Sequence, residues 1–105
     1  MRAVACLCVG PAMVLGASDA KAETIRVEIG KLLFAPVEIK ARVGDEIEWV
    51  NSDFVAHTAT ARDGRFDVML EPGKSGRVML ETAVVIDYYC RFHPNMTGRV
   101  NVTEK

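Results

Sequence analysis

Asp87-Tyr88-Tyr89-Cys90-Arg91-Phe92-His93-Pro94-Asn95-Met96-Thr97-Gly98 is the stretch on which the reading of this chain turns. Cys90, His93 and Met96 follow one another at steps of three residues. Apolar Val84-Val85-Ile86 leads in, and alternating Arg99-Val100-Asn101-Val102 leads out. The pattern predicts strand, tight loop, strand, with a thiol, an imidazole and a thioether gathered on one connection. Pro94 fixes a backbone angle and Gly98 lets the chain turn back, so a stiff loop is expected.

Outward from that loop the chain reads as all-β. Thr24 to Ile29 and Val37 to Ala41 alternate apolar with charged residues, and Glu46 to Asn51 sets Ile47 and Trp49 on one face. Lys31 to Pro36 is apolar but carries proline, which suits an edge or an irregular crossing. Asn51-Ser52-Asp53 is turn chemistry, Phe54 to Thr60 is a short extended segment holding His57, and Asp63-Gly64 is a hairpin signal. Further strands are expected at Arg65–Met69 and Arg77–Leu80, with a loop at Pro72–Gly76 and with Met69 and Met79 as core filler. Short strands with turns between them predict a two-sheet sandwich.

The first residues read differently. Met1-Arg2, the apolar run from Ala3 to Leu15 and an Ala20-Lys21-Ala22 ending have the layout of a secretory signal cleaved after Ala22. Residues 1–22 are thus expected to be the signal and residues 23–105 the domain. A membrane-spanning helix needs about 20 apolar residues, so stable membrane insertion is not expected. Cys6 and Cys8 leave with the signal, and Cys90 remains as a lone thiol. A domain this small buries only about 60% of its unfolded surface and often relies on a disulfide or a metal. One cysteine cannot form an internal disulfide. With 13 basic and 14 acidic residues and no basic block, nucleic-acid binding has no support.

Cys90, His93 and Met96 with His57, the only other histidine, form a candidate metal set. A structural zinc site takes four Cys or His ligands, and a thioether is a poor zinc donor. Iron–sulfur clusters need more thiolates. Copper accepts thiolate, imidazole and thioether in both oxidation states, in a His2Cys arrangement with a weak axial Met. A hydrolase using Cys90 and His93 needs an orienting third group, and none is evident in the sequence.

The same residues carry a resemblance. Phe34-Ala35-Pro36, Gly44-Asp45-x-Ile47-x-Trp49-x-Asn51, His57-Thr58, Phe66-Asp67, Pro72-Gly73-Lys74-Ser75 and Tyr88-Tyr89-Cys90-x-x-His93-Pro94-x-Met96-x-Gly98 resemble the small type 1 blue-copper proteins, the cupredoxins. Among these the short metal loop is similar to the amicyanin group, with pseudoazurins and plastocyanins more distant. The resemblance implies a Greek-key β-sandwich of about seven to eight short strands. It also implies one copper per chain cycling between Cu(I) and Cu(II), with His57, Cys90, His93 and Met96 as its ligands. The implied activity is one-electron transfer in the periplasm by a small monomer that is not an enzyme. Its implied partners are redox proteins, with a dehydrogenase as donor and a c-type cytochrome as acceptor. The alternative is a periplasmic copper carrier or metallochaperone. An apolar patch around His93, built from Pro94, Phe34 and Pro36, is the expected docking face. Two positions depart from the family pattern: Thr58 stands where asparagine often follows the upstream histidine, and Ala83-Val84 where a glycine often precedes the last strand.

Overall fold

The computed structural model describes residues 21–105, so the expected signal segment lies almost entirely outside them. Among the described residues there are nine strands and no helix. They are β1 (Thr24–Gly30), β2 (Leu33–Ala35), β3 (Glu38–Arg42), β4 (Glu46–Asn51), β5 (His57–Ala61), β6 (Asp67–Leu70), β7 (Ser75–Met79), β8 (Val85–Cys90) and β9 (His93–Thr103). Four form one sheet in the order β2-β1-β4-β7, and five form the other in the order β3-β9-β8-β5-β6. The β1–β4 and β3–β9 pairs are parallel and the rest antiparallel. The expected two-sheet sandwich is present. The extra strand is β2, a three-residue edge piece that ends immediately before Pro36.

Alternation places the core. Val27, Ile29, Ile47 and Trp49 face inward from the first sheet, and Ala59, Ala61, Ile86, Tyr88, Val100 and Val102 from the second. Aromatic rings join the layers. Phe34 meets Tyr88 edge-on at 4.7 Å between centroids, and Trp49 meets Tyr88 at 5.5 Å and Phe66 at 5.3 Å. Such pairs add about 0.5–1.5 kcal/mol each beyond their buried area. Burial pushes the Tyr88 phenol up to about 12, an effect offset in part by the Trp49 indole.

Three local expectations change. Met69 and Met79 point outward and are about half exposed, because each falls on the solvent side of its strand's alternation. The loop expected up to Gly76 ends sooner, since Ser75 and Gly76 already pair with Val50 and Trp49. The tight loop after Cys90 shrinks to Arg91-Phe92, and β9 begins at His93. The ladder runs regularly as far as Tyr89↔Thr97 and then slips to Cys90↔His93, so Pro94, Asn95 and Met96 bulge out of it. Proline has no N–H to give a ladder, and the bulge absorbs it. Gly98 takes a different part from the expected turn. A Cβ there would lie 2.4 Å from Tyr88 Cζ, so the missing side chain is what lets the Tyr88 ring lie across β9.

At the pole where β1 and β4 begin, buried Asp45 accepts from Glu23 N–H at 3.0 Å and from Arg42 N–H at 2.9 Å. Burial works against its charge, but these two bonds and the Arg42 guanidinium outweigh that and hold the carboxyl below the usual carboxylate range. Its contribution is therefore complete above that range and lost as pH falls below it toward the lowered folded value. Asp45→Ala should cost about 1–3 kcal/mol at neutral pH, through stranded N–H groups. It should also flatten the acid limb of stability against pH, as measured by denaturant unfolding across that range.

Candidate metal centre

The centre forms at the opposite pole, where β5 enters the second sheet and β8 passes into β9. His57 opens β5, Cys90 closes β8 and His93 opens β9, so strand ends fix all three. One donor atom from each lies within 4.8 Å of the others. Cys90 Sγ is 3.7 Å from His57 Nδ1 and 3.7 Å from His93 Nδ1, and the two rings stand 5.0 Å apart. Donors about 2.0–2.3 Å from a shared ion lie about 3.5–4 Å from each other when spread around it. The thiol and both imidazoles therefore fit one small cation. Met96 lies in the β9 bulge and is buried. Cys90 and His57 are fully buried, whereas His93 is partly exposed and is the ring nearest to solvent.

The β5–β8 ladder opens to admit the sulfur. Pairing holds at Ala61↔Tyr88 and Thr60↔Tyr89. Beyond that pair, Thr58 N–H donates to Cys90 Sγ at 3.3 Å instead of to a carbonyl. Arg91 N–H in turn donates to the Thr58 hydroxyl at 2.8 Å. Thr58 thus ties the two segments together from the position where the family pattern has asparagine.

Asp53, read from the sequence only as turn chemistry, orients His57. Its Oδ2 lies 2.8 Å from His57 Nε2; a carboxylate only accepts, so Nε2 carries the proton and Nδ1 faces the sulfur with its lone pair free. The same carboxylate accepts from Lys31 N–H at 2.6 Å and Leu32 N–H at 3.0 Å. Those two residues link β1 to β2 with φ of 55° and 62°, a two-residue hairpin in the left-handed region at about 1–3 kcal/mol of strain each. The Leu32 N–H above all, against the cost of burial and with help from the His57 ring and Lys31 N–H, holds the Asp53 carboxyl below its usual range. Buried Asn51 accepts from Asp53 N–H and donates to the carbonyls of Val55 and Leu70, fixing the loop before His57. The four-residue step from Asp53 to His57 was the one signal of this pairing in the sequence. Asp53→Ala should weaken Cu(II) binding by about 10- to 100-fold in a chelator competition, because the ring loses its orienting partner.

Phe34, expected near the surface, is buried against Tyr88 instead. Pro36 and Pro94 are exposed as expected, and with Phe92 and Phe54 they make this end apolar.

Comparison with known proteins agrees with the geometry. The profile of the cupredoxin-like domain family matches residues 3–102. Amicyanin-alpha of Methylorubrum extorquens is 29% identical over 90 residues, covering 80% of this chain and 76% of that protein. Amicyanin of Paracoccus versutus is 26% identical over 94 residues, covering 84% and 71%. Among solved structures, the Cu(I) form of an amicyanin variant superposes with a TM-score of 0.67 at 27% identity, covering 82% of this chain and 87% of that one. A profile match along nearly the full length, over a fold with a thiol and two imidazoles converging at one pole, makes this chain a member of the cupredoxin-like domain family.

Proposed function

We propose that this chain is a one-electron carrier whose copper is held by His57, Cys90, His93 and Met96, and that it works in the periplasm between redox proteins. The observation that carries the reading is the convergence of one thiol and two imidazole nitrogens at a strand-anchored pole. That donor set, with a thioether nearby, suits copper better than zinc or iron. Bound copper supplies the Cu(II)/Cu(I) couple. The rest is the work of the chain. Cys90 gives the soft thiolate, and Thr58 N–H withdraws charge from it. Asp53 fixes the His57 tautomer, and the two packed sheets hold both residues in place whichever oxidation state they serve.

The electron's route out is by His93, the partly exposed ring. Phe92 beside it is half exposed and Phe54, on the loop before His57, is 98% exposed. An apolar surface at this pole suits brief docking of a redox partner, for which a dehydrogenase as donor and a c-type cytochrome as acceptor are the candidates. The basic start, apolar run and Ala-x-Ala ending support export.

Two other readings fit less well. Cys90, His57 and Asp53 line up as nucleophile, base and orienting carboxylate. The sulfur and the imidazole are fully buried, however, so no substrate carbonyl reaches them. A copper carrier exchanges its metal and favours open, Met- and His-rich sites, whereas here two of the candidate ligands are closed off from water.

Cu(II) added to the protein should give an intense blue absorption that bleaches on reduction and is absent in Cys90→Ala. Weak colour with rapid loss of copper to a chelator would favour the carrier instead. Phe54→Lys should slow electron exchange with a redox partner by several-fold and leave the visible spectrum unchanged. An unaltered rate would remove Phe54 from the docking face.

A further inference from the structure

Beyond the candidate ligands, a closed loop of hydrogen bonds runs from the metal segment to the outer edge of the second sheet and back. Arg91 N–H donates to Thr58 Oγ1 at 2.8 Å, and Thr58 Oγ1 lies 2.9 Å from Thr60 Oγ1. Thr60 Oγ1 donates to Asp67 Oδ1 at 2.7 Å, and the same oxygen accepts from Arg91 Nε at 3.1 Å. The circuit begins and ends on one residue, the one that follows Cys90.

The direction of the chain is set by its chemistry. A carboxylate only accepts, so the single Thr60 hydroxyl proton is committed to Asp67. Thr60 then offers its lone pair to the Thr58 hydroxyl, and Thr58, its proton spent, accepts from Arg91 N–H. Each bond polarises the next, so an anionic acceptor at one end strengthens the acceptor at the other. The Thr60 hydroxyl and then Arg91 hold Asp67 below the usual carboxylate range, which keeps it ionised at neutral pH.

Sheet geometry supplies the spacing. Thr58 and Thr60 lie on one side of β5, and Asp67 is the cross-strand partner of Thr60 on β6. An asparagine at position 58 would bring a carbonyl fixed in direction by its own amide. The threonine hydroxyl rotates, and Thr60 and Asp67 stop it.

We infer that Thr60 and Asp67, which form no hydrogen bond with a candidate ligand, are positioning residues for the Cys90–His93 turn, acting through this ring to fix Arg91 at both its main-chain nitrogen and its guanidinium. The consequence for copper rests on the function proposed above, but the ring itself does not.

The test is amide hydrogen exchange of the metal-free protein, with Arg91 N–H read against Val100 N–H in the middle of the same sheet. Thr60→Val and Asp67→Ala should each speed Arg91 exchange relative to Val100 by about three- to tenfold, the worth of one hydrogen bond. The double variant should do little more than either single, because both break one circuit, and Thr60→Ser should restore the native rate. With copper bound, Thr60→Val should release metal to a chelator several-fold faster and shift the reduction potential, with Thr60→Ser again native. An unchanged Arg91 rate, or additive effects in the double variant, overturns the ring. Faster exchange with copper release and potential unmoved overturns the positioning role. A native protein that binds no copper defeats the proposed function, and Arg91 exchange then still decides the ring.

Discussion

A backbone N–H that gives up its carbonyl for a sulfur is the interaction on which this molecule's chemistry depends. Strands β5 and β8 pair conventionally for two residues. They would continue if Cys90 did not turn its side chain into the gap. Thr58 N–H accepts that exchange, and Arg91 N–H, displaced in turn, finds the Thr58 hydroxyl. Both displaced N–H groups find an acceptor, so the sheet opens at small cost. The thiol is left facing two imidazoles and not the hydrocarbon core. A lone buried cysteine is commonly a small hydrophobe; here its neighbours make it a donor.

The histidine opposite is held by a different economy. Asp53 is shared among a strained hairpin, a loop and a ring nitrogen. Two non-glycine residues at positive φ persist because a carboxylate gathers their N–H groups, and that carboxylate is aimed because Asn51 pins the loop that carries it. The orientation of His57 is therefore tied to a turn in the other sheet. At the far pole the buried Asp45 carboxylate collects the Glu23 and Arg42 N–H groups at the ends of β1 and β3, and its main-chain carbonyl accepts from Leu80 N–H just past β7. The sandwich is clasped at both ends by acids that gather main-chain N–H groups from more than twenty residues away.

What the sequence revealed follows from which interactions are periodic. Alternation in Thr24–Ile29, Glu46–Asn51 and Arg99–Val102 located strands, because facing a core repeats every two residues. The spacing of Cys90, His93 and Met96, with His57 as the only other histidine, located the candidate site, because donors of that kind are rare enough to stand out. Non-periodic features stayed hidden. Asp53 looked like any turn aspartate, since its role depends on a hairpin brought up from β1. Phe34 looked like surface because proline follows it closely, and Tyr88 buries it. Met69 and Met79 lie outward and not in the core; a half-buried strand's inner face cannot be told from its outer one without the partner sheet. The Thr58–Thr60–Asp67–Arg91 ring joins two strands and the β8–β9 turn, and no window of sequence contains it.

The position of β9 has a consequence for how the molecule comes to exist. This strand lies between β3 and β8, inside the five-stranded sheet, and the Thr103 hydroxyl bonds to a carbonyl 62 residues earlier in the chain. Both it and β4 join partners across parallel pairings that local hairpins cannot nucleate. Contacts so distant in sequence make for slow folding, in the millisecond-to-second range typical of such topologies. Strands β1, β2, β4 and β7 can pair without β9, but β3 has no sheet partner until that strand is in place, so the second sheet is complete only with the last strand. His93 opens that strand, so the second imidazole joins Cys90 and His57 only when β9 slots into the middle of its sheet.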